Sequence, residues 1–256
     1  MLCQKIVPVR KFTLNKKLNT MLGVILFVTL WQLLSKSIGS YIFPGPFLTI
    51  KETIRLLTLN YTWQCIYYSL LRLFGGFTVA FIIGLILGVL SGNFYFIKEL
   101  LNPMIVAVKS IPTASLVFLF IVLSGARNAS IYIVILVAFP IIYDGVSSGI
   151  ENIDRDIIDA SRLDGASFIY ENFKVKLPLA LPYIFVSVSS SFALSFKIEI
   201  MAEVITGTTF PGLGSAISTV RKIEPANLAP VFAYSLIAII IALILTFVSK
   251  KIKIMK

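Results

Sequence analysis

The chain has 256 residues, of which 57% are hydrophobic and only 14% charged, and its mean hydropathy is +0.93; soluble domains carry roughly 25% charged residues, so a water-soluble globular protein is excluded. It has no histidine and two cysteines, Cys3 and Cys65, which excludes Ser-His-Asp catalysis, most transition-metal sites and any disulfide framework beyond one bridge. The formal net charge of +11 fits either a nucleic-acid partner or basic flanks around membrane spans, and its distribution decides between them.

Six membrane helices are predicted, over 19–35, 68–92, 103–124, 129–147, 178–205 and 230–249. They approach or exceed the ~20 residues that cross a ~30 Å hydrocarbon layer. The fold class is therefore all-α, a polytopic membrane helical bundle whose membrane domain covers 19–249. The first apolar stretch lacks a small-residue cleavage site and reads as a retained span. With the N-terminus inside, the tail 1–18, the 93–102 loop, the 148–177 loop and the tail 250–256 are cytoplasmic. That assignment puts 14 of the 23 Lys and Arg inside, among them Lys5, Arg10, Lys11, Lys16, Lys17, Lys250, Lys251, Lys253 and Lys256. The positive charge is then a topology signal in a bacterial cytoplasmic membrane, with both termini inside. The lipid bilayer is the expected partner and nucleic acid is not.

Along the chain, the outer segment 36–67 is too polar to span. It holds a turn at Pro44-Gly45-Pro46, then an amphipathic stretch over 49–59 suited to the membrane surface. In the second span Gly84, Gly88 and Gly92 recur every four residues, a stripe that lets another helix approach closely. Arg72, Lys109 and Asp144 fall near span ends, where their side chains can reach the interface. No strong internal repeat supports an inverted-repeat transporter.

The most informative stretch is the polar loop 148–177. Asp159-Ala160-Ser161 is followed after three residues by Gly165, and later by Val175, Leu177 and Pro178. Residues 156–163 suit a helix that Gly165 would end in a sharp turn, with a second short helix over 167–173 and Ser167 as its N-cap. This register resembles the EAA signature of ABC importer permeases, with Asp159 for the usual Glu, Ser161 for the second Ala and Val175 for Ile. Likeness to the nitrate/sulfonate/taurine branch of that family runs from about residue 59 to 248. It is carried also by Ser69-Leu70 with Arg72 and Gly76-Phe77, by Lys109-Ser110-Ile111-Pro112, by Ala202-Glu203 and by Gly212-Leu213-Gly214. The chain departs from the branch pattern at Leu116-Val117 and Leu123-Ser124-Gly125, along the expected pathway.

The resemblance implies a permease subunit with no catalytic or metal site of its own. It implies that the Asp159–Val175 projection docks on a separate ABC ATPase that binds ATP-Mg, and that an extracytoplasmic binding protein delivers the solute. A second permease copy completes the assembly. The Pro211–Gly214 turn would belong to the outer gate. Consistently, the chain lacks a Gly-x-x-x-x-Gly-Lys-Ser/Thr phosphate loop.

Charges inside a bilayer cost roughly 2.5–3.5 kcal/mol each on insertion scales, which singles out Lys197, Glu199 and Glu203 in the fifth span. Glu199 and Glu203 are four apart and share a helix face, whereas Lys197 lies about 200° from Glu199. Lys197 either lines the translocation pathway, attracting an anionic or polar solute, or enters an interhelical ion pair. A rival reading is an ion-coupled secondary transporter using these three residues. An intramembrane enzyme lacks a catalytic constellation, and a scaffold would leave the loop register unexplained.

Overall fold

The computed structural model describes residues 16–207 and 210–254. Cys3 and the tail residues Lys5, Arg10, Lys11 and Lys256 lie outside the described residues. Among the described residues all regular structure is helical. The elements are α1 (Lys16–Ile38), α2 (Pro46–Leu57), α3 (Asn60–Asn93), α4 (Tyr95–Ser110), α5 (Thr113–Ser124) and α6 (Ala129–Glu151), then α7 (Arg155–Leu163) and α8 (Phe168–Tyr170). A π-helical turn (Glu171–Lys176), α9 (Leu177–Thr206), α10 (Leu213–Ile223) and α11 (Ala229–Ile254) complete the chain.

Five of these helices, α1, α3, α6, the α8–α9 run and α11, are long and apolar enough to cross a membrane. The sixth predicted span, 103–124, is not a single helix. Helix begins already at Tyr95, inside the segment expected to be a loop, and α4 meets α5 at 99°. The cause is local. Pro112 has no N–H to donate, and it drives Ile111 into the extended region at φ −76°, ψ 131°, so the first helix stops and a second starts at Thr113.

Small residues govern the packing of the centre. On α3, Gly76, Gly84, Gly88 and Gly92 face Val134, Ile142, Val146 and Ile150 of α6 in a constant offset, so the two helices run parallel. A Cβ added at Gly88 would lie 2.6 Å from the Val146 Cβ, and one at Gly92 2.8 Å from the Ile150 Cβ. The four-residue glycine period thus does what the sequence suggested: it brings two backbones together. Helix α9 packs antiparallel on the other side of α6, where Gly145 meets Ser187 and Gly149 meets Ala180. Ala80, Ala138, Ile142, Val146 and Ala180 fill the space between the three helices.

The amphipathic stretch expected at 49–59 forms α2, entered through Pro46 just inside its N-terminus. Its Thr49, Thr53 and Leu56 are buried, and each Thr hydroxyl donates to the carbonyl four residues back. Phe47, Ile50 and Ile54 remain exposed on the opposite side. Helix α1 stands almost free. Its main ties are the buried Ser35 and the Trp31 indole N–H donating to the Pro44 carbonyl.

Candidate functional site: a helical projection and a buried charge cluster

The 148–177 loop folds as its spacing predicts, with additions. Asp154 caps α7 by accepting from the Asp156 N–H. At the other end Gly165 adopts φ +80°, the Gly165 N–H bonds the Arg162 carbonyl and the Ala166 N–H reaches the Ser161 carbonyl. This pair of bonds is a Schellman closure, which needs a residue that tolerates positive φ. Ser167 then caps α8 by accepting from the Tyr170 N–H.

From Phe168 to Thr206 the helix does not break, so α8, the π turn and the fifth span form one 39-residue body. At 1.5 Å per residue that length is roughly twice a hydrocarbon layer, and its first part therefore stands outside the membrane. The π-helical turn within it shifts the register by one residue and aims Glu171, Asn172 and Lys176 inward. Glu171 takes Lys176 at 2.5 Å and Arg162 of α7 at 2.9 Å. The Lys176 ammonium also donates to Asn93 at the end of α3, and the Asn93 amide donates to Asn172, both at 2.6 Å. The Glu171 carboxylate raises the Arg162 guanidinium above its ordinary value, mainly through their hydrogen bond. One buried carboxylate and one buried asparagine thus tie α7, the π turn and α3 together.

Of the loop residues singled out in the sequence, Asp159, Ala160 and Gly165 are exposed. Ser161 and Val175 are half-buried, and Leu177 and Pro178 begin α9. Sequence reasoning missed the apolar crest beside them. Leu163 is 89% exposed and Ile169 69% exposed, with Phe168 and Phe173 alongside, and α7 buries no residue at all. These exposed side chains form an apolar patch at the tip of an otherwise polar loop. The missed signal was present in the sequence as apolar residues flanking Gly165 on both sides.

At the opposite end of the bundle the structure collects Glu199 and Glu203 with Arg72, which the sequence suggested would reach the interface. Instead Arg72 is nearly buried. It ion-pairs with Glu203, lies 4.0 Å from Glu199 and donates to the Pro211 carbonyl. Ser69 donates to Glu203 while accepting from the Leu213 N–H, and the Gly214 N–H donates to Glu203. Gly212-Leu213-Gly214 is therefore clamped onto α3 and α9, and any Cβ at Gly214 would sit 2.3 Å from the Ile200 carbonyl oxygen. Lys197 is not part of this cluster. It points to the other side of α9, into a groove of about 590 Å³ against α11 with Phe196, Ile200 and Ala238. Lys109 and Asp144, expected to reach the interface separately, form an ion pair with each other.

The chain is thus a bundle of apolar helices, one of them prolonged into a helical projection. The family of binding-protein-dependent transport system inner membrane components matches residues 80–253, and the chain belongs to that family. It is 30% identical over 196 residues to the bicarbonate transport system permease protein CmpB of Synechococcus elongatus, covering 72% of this chain and 70% of that protein. It is 26% identical over 203 residues to the nitrate import permease protein NrtB of a Synechocystis species, covering 75% and 73%. Two solved structures share the fold. An amino acid ABC transporter with histidines matches at a TM-score of 0.65 and 17% identity, over 82% of this chain and 98% of that chain. The inward-facing MetNI methionine ABC transporter matches at 0.61 and 20%, over 75% and 92%. The resemblance to ABC importer permeases, and to their nitrate branch, is borne out.

Proposed function

We propose that the chain forms the translocation path of an importer for a small anion of the bicarbonate or nitrate kind. A separate ATPase drives it, a binding protein supplies it and a second copy of the chain completes the path. The α7–α8 projection faces the cytoplasm in this reading, with both termini on the same side. The observation that carries it is the projection itself: an exposed apolar crest at Leu163 and Ile169, locked through Glu171 to a helix that continues unbroken into a span. Closure of ATPases bound there moves Asp159, Ala160, Ser161 and Gly165 as one piece with Val175, Leu177 and Pro178, and so reaches the bundle. ATP and Mg²⁺ belong to the partner. The anionic solute is suggested by what the similar permeases are named for; sulfonates such as taurine share that charge.

The test is purification of tagged chain in mild detergent from its native membrane, with mass spectrometry of what accompanies it. An ATPase subunit is expected in stoichiometric amount. Leu163→Asp changes an exposed side chain and leaves the fold alone, so it should lose the ATPase while the permease elutes unchanged. Gly165→Trp should do the same by spoiling the turn. A chain that emerges alone and still transports after reconstitution would overturn the proposal, in favour of ion coupling through Lys197, Glu199 and Glu203.

A further inference from the structure

Most of the outer face of the bundle suits lipid: Phe74, Ile82 and Ile86 on α3, and Ile239, Leu243 and Phe247 on α11, are all exposed. One face does not. Between α4, α6 and α9 lies an open recess of about 660 Å³ whose lining is largely apolar but includes Lys109, Asp144, Ser148, Tyr183, Ser187 and Ser190. Asp144 is two turns from the end of α6 and Ser187 nearly three turns into α9, roughly 10–15 Å inside the bundle from the loop end. Lys109 and Asp144 pair there with 40% and 46% of their side chains still exposed. An ion pair left that open, among four hydroxyl groups, is not stable against hydrocarbon, where each charge needs a partner or water. This face therefore meets water, a polar solute or the second copy of the chain across the path.

We infer that the recess is an oxyanion site in which Lys109 exchanges Asp144 for a planar, singly charged anion of nitrate or bicarbonate size. The exchange is chemically simple. The ammonium keeps its three donors and trades a carboxylate oxygen of Asp144 for an oxygen of the incoming anion. The Ser187 and Ser190 hydroxyls donate to the carbonyls of Ile184, Val186 and Ser187, and can rotate toward an incoming anion without leaving a buried group stranded. Asp144 stays within reach and competes for Lys109. That competition keeps occupancy short, as a conducting site requires. Gly145 has a role here as well: a Cβ at that position would strike Ser187 at 2.2 Å, so only glycine lets α6 and α9 close the wall of the recess. The site rests on the anion-importer reading and names where in this chain the anion would be held.

The test uses the detergent-purified permease with whatever subunits accompany it, titrated with ¹⁵N-nitrate and with ¹³C-bicarbonate at constant ionic strength. Binding is followed by broadening of the anion's NMR line. Wild type should broaden at least one of the two. Lys109→Met should need about tenfold more anion or show no broadening, as expected for loss of a charged hydrogen-bond partner. Asp144→Asn, which frees Lys109, should need less anion than wild type. Equal broadening in wild type and Lys109→Met, or none by either anion in wild type, would overturn the site. If Lys109→Met and Asp144→Asn were equally impaired and Lys109→Met/Asp144→Leu recovered both binding and thermal midpoint, the pair would be a structural strut instead. Failure of the importer reading shows separately, as the absence of any co-purifying ATPase.

Discussion

Arg72 is the residue on which the far end of the bundle depends. Its guanidinium is almost buried between two carboxylates, and only Glu203 meets it at bonding distance. Removing one partner of a buried ion pair strands the other and costs roughly 3–5 kcal/mol. Glu203→Gln should therefore lower the thermal midpoint of the detergent-solubilised protein sharply. Arg72→Met/Glu203→Leu, which strands no charge of that pair, should be less damaging than either single change. Midpoints equal to that of wild type in both variants would show that the pair carries no stability. None of this pairing was legible beforehand. The sequence shows Glu199 and Glu203 on one face because their spacing is helical, but Arg72 lies 131 residues from Glu203, and only the fold brings it there. Lys197 was separable from the two acids by helical geometry alone, and it does stand on a different face.

At the level of elements, two helical devices separate what periodicity can predict from what it cannot. The glycine stripe of α3 was readable because its period is that of the helix. Its consequence is specific: Gly88→Ala forces a contact with Val146 and should cost about 1–3 kcal/mol as overpacking. Gly75→Ala, with nothing within 4 Å of the added atom, should be neutral or mildly stabilising. Comparison of the two thermal midpoints checks both. The π turn at 171–176 was not readable, because what holds its extra residue inward is Asn93, at the far end of another helix. Deleting the exposed Phe173 should restore ordinary α-helical register and turn α7 and α8 by about 100° relative to α9. The expected outcome is intact spans by thermal melting with uptake no longer tied to ATP hydrolysis; normal coupled uptake would show that the angle of the projection is unimportant. The elbow at Pro112 falls between these cases. The proline was visible, but an apolar run on both sides read as one span.

For the molecule as a whole, the all-helical character and five of the six predicted spans followed from composition and length, while the arrangement did not. Helix α1 illustrates the difference. It is apolar enough to cross a membrane, yet only 6% of its apolar stretch is buried inside the bundle. Removing residues 1–38 should therefore lower the thermal midpoint of the remaining helices less than Gly88→Ala does. A larger loss would mean that the Trp31 and Ser35 contacts matter more than their burial suggests. The loop was legible in its register and in its turn at Gly165, and illegible in its ties to α3.

The parallel course of α3 and α6 bears on how the chain is made. Neighbouring helices joined by a short loop can zip together as soon as both exist, but a parallel pair cannot. Gly88 finds Val146 only after α4, the elbow and α5 have been synthesised and α6 has entered the membrane. Through that interval the contact face of α3 waits unpartnered. A face made of glycine, alanine and serine leaves lipid little to be displaced when the partner arrives, whereas large side chains would have to be repacked. The same stripe that allows the closest approach in the finished bundle is thus also the one least committed while the bundle is incomplete, so assembly order and final packing ask for the same residues.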